Sequence, residues 1–163
     1  MKNLLFILTV FLICNPLLAQ SDNWATIDYT YSKGPVSPEY QLTYQIIIDK
    51  SGNGKLIHTK ASVTNEFDFK AGKKSMKALN KKLKKSEVFS VPSDEMKAAD
   101  NMIGGPTRSM QIIMWQSPDL DQKPVTIDVA PHLNEAFSDN MFSVYAHLED
   151  MVPQSIWEKA AGK

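Results

Sequence analysis

The sequence predicts an α+β domain: an antiparallel sheet of about five strands with two amphipathic helices packed on one face. Three observations predict it. Residues 40–59, "YQLTYQIIIDKSGNGKLIHT", read as a hairpin. At "SMKALNKKLKK" the apolar spacing changes from two to three and four, the mark of a helix. A second pair of alternating runs, "SMQIIMWQ" and "VTIDVA", then leads into another stretch of helical period.

The first segment stands outside this pattern. Lys2 gives a positive start, residues 4–13 are an apolar run, and "NPLLAQ" supplies a small residue at Ala19. That is the design of a secretory signal peptide cleaved after Ala19, and the run is too short for a membrane anchor. Residues 1–19 are therefore expected to be leader and residues 20–163 a single domain with no transmembrane helix. Lipid attachment through Cys14 is the lesser alternative, because the bulky Ile13 precedes the cysteine where lipoprotein signals have a small residue. Exported to the periplasm or beyond, the chain would start at Gln20, and its only cysteine would be gone. Disulfides, thiol chemistry and cysteine-bound metal are excluded from the mature chain, so packing must stabilise it. Without Lys2 the balance is 17 basic against 18 acidic residues, and this charge selects neither nucleic acid nor an anionic membrane.

The elements follow in order. "WATIDYTYS" alternates Ile27, Tyr29 and Tyr31 against Thr26, Asp28 and Thr30, a first strand. "KGPVSPEY" breaks it, since Pro35 and Pro38 lack backbone donors and force extended neighbours. It reads as an ordered connection, or as a binding loop framed by Tyr31 and Tyr40. In the hairpin, Leu42, Tyr44, Ile46 and Ile48 share one side, and "KSGNG" supplies the residues that reverse a chain. "EFDF" places Phe67 and Phe69 on a further strand. Met76, Leu79 and Leu83 then share a helical face, with lysines around most of the rest. Ser93 with Asp94 and Glu95 suits one short helical turn. In "VTIDVA", Val125, Ile127 and Val129 fall on one face, and the loop "SPDLDQKP" joins the second hairpin. The final helix is expected over residues 138–151, closed by Pro153. "SIWE" resembles a capping box with Ser155 at the cap, and Trp157 would anchor the terminus.

Chemistry is constrained mainly by exclusion. Asp49, Ser51, Asn53 and Gly54 match four positions of an EF-hand calcium loop, but Lys60 stands where the bidentate glutamate belongs and the flanks read as strands. A tight turn is expected instead. His58, His132 and His147 are far apart, and no HExxH is present; no metal or other cofactor is expected. Neither a GxSxG elbow nor a catalytic cysteine occurs. Asp28 and Asp128, with His132 near them, leave a carboxylate-based hydrolase as one alternative, although both aspartates are expected on the outward side of their strands. Lys74, Lys77, Lys81 and Lys85 on the first helix leave a second alternative, attachment to polyanions or a membrane surface, against a default of a solvated face. Arg108 is the only arginine, which argues against nucleic-acid readout. His147, beside Glu149 and Asp150, is expected in solvent. The leading expectation is a non-catalytic module for a protein or envelope component, binding through Tyr31, Pro35, Pro38, Tyr40 and Trp115. Partner identity and oligomeric state stay open.

Across "YSKGPVSPEYQLTYQIIIDKSGNGKL", "LNKKLKKSEVFSVP" and the terminal "IW", the chain resembles a family of small secreted bacterial domains of unknown function. They share a Gly-Pro-x-x-Pro-x-Tyr-like lead into a hairpin, a helix ending in a Phe-containing segment, a second hairpin and a last helix. The motifs are loose but span most of the mature chain. Family members carry cysteines near the lead-in, where this chain has Val36 and Ser37, so no role tied to those thiols carries over. The resemblance implies the fold and a Gram-negative export route, and no activity.

Overall fold

A computed structural model describes residues 23–99, 104–115 and 124–162. The expected leader with Cys14, the expected new terminus at Gln20 and most of the "SPDLDQKP" loop lie outside the described residues.

Six strands pair into one antiparallel sheet: β1 (Trp24–Ser32), β2 (Leu42–Asp49), β3 (Asn53–Lys60), β4 (Val63–Lys70), β5 (Thr107–Met114) and β6 (Thr126–Val129). Their spatial order is β4-β3-β2-β1-β5-β6, so β1 is central. The strand expected at Phe67 and Phe69 is β4, which pairs with β3 along its whole length and brings the sheet to six strands rather than about five. Register places the alternating apolar residues in rows: Ile27 sits between Ile48 and Ile112, and Tyr29 between Ile46 and Met110. A bulge after Trp24 inserts one residue and turns its indole to the same side as Ile27. There Trp24 Nε1 donates to Asn80 Oδ1 (2.9 Å).

Two helices cover that side of the sheet. Helix α1 (Lys73–Lys85) buries Met76, Leu79 and Leu83. Helix α3 (Glu135–Met151) buries Met141, Val144, Tyr145, Leu148 and Met151, and begins three residues before the expected Ser138 because Asn134 caps it by accepting from the Ala136 N–H. His147 is not in solvent: its Nε2 lies 2.9 Å from Ser75 O and ties α3 to α1. A single turn, α2 (Ser93–Met96), is docked by Asn134 N–H donating to Met96 O, and Met96 is wholly buried. The last helix, α4 (Gln154–Ala160), starts directly after Pro153. Ser155 therefore lies inside the helix, and the capping-box reading is corrected.

The calcium-like stretch folds as the β2–β3 turn. Asp49 Oδ1 accepts from Ser51 Oγ and the Asn53 N–H, and Asp49 Oδ2 from Asn53 Nδ2. Lys70 Nζ then donates to Ser51 O (2.9 Å) and Asn53 Oδ1 (2.6 Å). Asn53 Oδ1, one of the oxygens that a cation would need, is thus taken by a protein ammonium group, and the Asp49 carboxylate by the turn's own donors. No described helix is long and apolar enough to cross a membrane.

Candidate functional site

Where α4 meets the end of the sheet, an aromatic groove forms around Glu149. On the helix-facing side, β1 contributes Tyr29 and Tyr31, and β2 contributes Leu42 and Tyr44, by strand alternation alone. Glu149 stands four residues after Tyr145 and three before Val152, so helical periodicity sets a carboxylate into an otherwise apolar stripe. Tyr29 OH donates to Glu149 Oε1 at 2.6 Å and Tyr44 OH to the same oxygen at 2.7 Å. Hydrogen bonds to a charged acceptor contribute about 1.5–3 kcal/mol each. Burial first, and the bond to Glu149 second, raise the pKa of both phenols far above the usual tyrosine value, so both remain donors. The Arg108 guanidinium lies 5.1 Å from the Tyr31 ring centroid and 5.7 Å from that of Phe142. Burial works against its charge, but Tyr29, Glu149 and Tyr44 outweigh that and raise its pKa.

The rings form a continuous wall. Tyr31 stacks on Tyr44 at 4.8 Å, Tyr29 stacks on Tyr145 at 5.0 Å, and Trp157 of α4 meets Tyr44 nearly perpendicularly at 5.0 Å. Trp157 Nε1 donates to Glu149 O (3.3 Å), which fixes α4 against the end of α3.

Three hollows follow one another along this wall. The first, about 410 Å³, lies between Trp157 and the Glu149–Asp150 pair. A second, about 360 Å³, shares Tyr44, Gln154 and Trp157 with it and reaches Leu42 and His58. The third, about 220 Å³, shares Leu42, His58 and Ala161 with the second and ends at Tyr40, Lys33 and Lys60. His58 is only 6% exposed, and its Nδ1 has no hydrogen-bond partner among the described residues. Burial first, and the nearby Lys60 second, hold its pKa below the ordinary 6.5. A buried polar atom left without a partner is uncommon in a folded protein.

The uncovered face of the sheet is mostly polar, with Ile47, Ile57 and Ile113 half-buried among the polar residues. A cavity of about 630 Å³ on its β6 side is lined by both Asp28 and Asp128, with Gln111, Thr30 and Lys97. The aspartates flank Gln111 in one cross-strand row, two strand spacings or roughly 9.5 Å apart. Gln45 Nε2 donates to Asp28 (2.7 and 2.8 Å) and Gln111 Nε2 to Asp128 (2.8 Å). His132 is not among the described residues lining this cavity; its carbonyl accepts from the Ala98 N–H.

The residues singled out from the sequence divide into three places. Tyr31, Pro35, Pro38 and Tyr40 gather at the α4 end of the molecule, with Tyr31 half-buried in the aromatic wall and Tyr40 63% exposed at the groove's outer end. Pro35 and Pro38 are exposed, and Pro38 opens a 3-10 turn ending at Tyr40. Trp115 is apart from them, just past β5 at the Trp24 end, with its N–H donating to Asn23 O. Lys74, Lys77, Lys81 and Lys85 are all exposed on α1, while Lys82 turns inward to Ser143 Oγ. Glu149, Trp157 and His58 were not singled out as site residues. One signal was available: a carboxylate at stripe spacing from Tyr145 and Val152 is a buried polar group in waiting.

No protein-family model and no curated protein matches the chain.

Proposed function

We propose that this chain is an exported, non-catalytic binding module of the bacterial envelope, and that it holds an envelope component in the aromatic groove beside α4. The observation that supports this most is the run of three joined hollows with an aromatic wall and an unpartnered, nearly buried histidine. Concave, largely apolar surfaces with a few convergent polar groups are what ligand sites require. Tyr31 and Tyr40 belong to this region; Pro35 and Pro38 border it. The test is retention of envelope material on immobilised protein, with Trp157→Ala as control. The reading requires a retained component that the control loses. Equal retention by both, or none by either, rejects it.

Two other readings each have one observation behind them. Asp28 and Asp128 share a cavity, which favours a carboxylate-based hydrolase. Their backbones lie two strand spacings apart, roughly 9.5 Å, and an inverting pair needs its carboxyl groups about 6.5–9.5 Å apart. Hydrolysis of a glycoside panel that Asp28→Asn and Asp128→Asn each abolish would establish it. The exposed Lys74, Lys77, Lys81 and Lys85 favour a polyanion surface. That reading demands salt-sensitive binding to anionic liposomes which charge removal at these four positions eliminates.

A further inference from the structure

We propose that the first hollow of the groove, between Trp157 and the Glu149–Asp150 pair, receives an organic ammonium group. This rests on the groove being the binding site, and adds the chemical class of what it holds. Tyr44 and Trp157, in edge-to-face contact with each other, both line it, as do the half-buried Glu149 and the exposed Asp150. Ring faces carry negative electrostatic potential, and an alkylated cation is attracted to them while losing less hydration than a metal ion does.

The protein already contains an example of this pairing. Its one arginine, half-buried, rests against Tyr31 and the half-exposed Phe142 and interacts electrostatically with Glu149. That interaction offsets part of the Glu149 charge. Asp150 is exposed at the rim and supplies the remaining negative charge toward the hollow. Both phenols that reach Glu149 donate to the same oxygen, Oε1. Beyond Trp157 the groove becomes apolar at Leu42 and then meets His58, whose Nδ1 lacks a partner. The site therefore suits a cationic head attached to a short chain that continues past Trp157. An anionic ligand would meet Glu149 and Asp150 at the same rim.

The experiment uses the exported chain, residues 20–163, which includes every described element. Its three tryptophans, Trp24, Trp115 and Trp157, each give one indole N–H resonance, assignable by single substitution. Tetramethylammonium, choline and n-butylammonium are titrated separately, with 3,3-dimethylbutanol as the uncharged isostere of choline. We expect saturable movement of the Trp157 resonance with a cation, little with the isostere, and binding weakened about fivefold by Asp150→Asn. Preference for choline or tetramethylammonium identifies a quaternary head, and preference for n-butylammonium a primary amine. Both preferences support the proposal. No saturable movement with any cation, or equal movement with the isostere, overturns it. Retention of an envelope component that Trp157→Ala abolishes, with no cation response, would remove the ammonium proposal and leave the groove reading intact. Loss of both removes both.

Discussion

Glu149 is where one residue governs most. Its carboxylate accepts from a wholly buried Tyr29 and a half-buried Tyr44 and faces Arg108. Glu149→Ala leaves two phenol hydroxyls unpaired and a guanidinium without its counter-charge. We expect it to lower unfolding free energy by about 2–4 kcal/mol, with Glu149→Gln costing roughly half of that because an acceptor remains. Urea denaturation of the three proteins reads both values. His58 sets a second expectation, for pH. Its folded pKa lies below the unfolded one through burial and Lys60; Tyr44 and Asn65 across the strands, Lys33 and Glu39 in the loop, and Glu158 on α4 also surround it. The unfolded chain binds a proton that the folded chain disfavours. The histidine's contribution is therefore complete above about pH 6.5 and declines as pH falls through the lower folded value. His58→Phe should flatten Tm between neutral and mildly acidic pH, and an unchanged slope would refute this account.

The hairpins can be judged as elements. β3 and β4 are joined by the two-residue loop Ala61–Ser62, with Lys60 paired to Val63. Both loop residues have positive φ, +47° and +66°, the conformation that Asn-Gly adopts without strain. Replacing them by Ala61→Asn with Ser62→Gly should stabilise the protein by about 0.5–1 kcal/mol in denaturant titration. Across the same pair of strands, Gly54 faces Phe69, and a Cβ there would lie 2.2 Å from the ring. Gly54→Ala should therefore cost about 1–3 kcal/mol through overpacking. Hairpins, helix faces and the α+β class were legible in the sequence, because period two and period 3.6 are local signals. The bulge at Trp24 was not, since one inserted residue changes facing without changing composition. Nor was the inward placement of His147, whose acidic neighbours in sequence suggested solvent while Ser75 on another helix held it.

For the whole molecule, the candidate site was mostly illegible for a related reason. Tyr29 and Glu149 are 120 positions apart and Tyr44 and Glu149 are 105 apart, so only the closed sheet and docked helices bring them together. The sequence did mark Tyr31 and Tyr40 by their place beside a proline loop. It also marked Trp115, which β5, about 27 Å long, carries to the opposite end. The expected export step has its own test at this scale. Intact mass of protein recovered from the periplasm of an expressing Gram-negative host should correspond to a chain starting at Gln20, as glutamine or its cyclised form. A mass carrying lipid on Cys14 would refute cleavage after Ala19. Finally, α4 forms one bank of the groove, and Ala161, just after it, borders two of the hollows. Anything fused behind Gly162 would be tethered at the groove's mouth, at high local concentration for as long as the fusion lasts. Purification tags for binding work belong ahead of Trp24, at the far end of the sheet, where they cannot masquerade as an occupant.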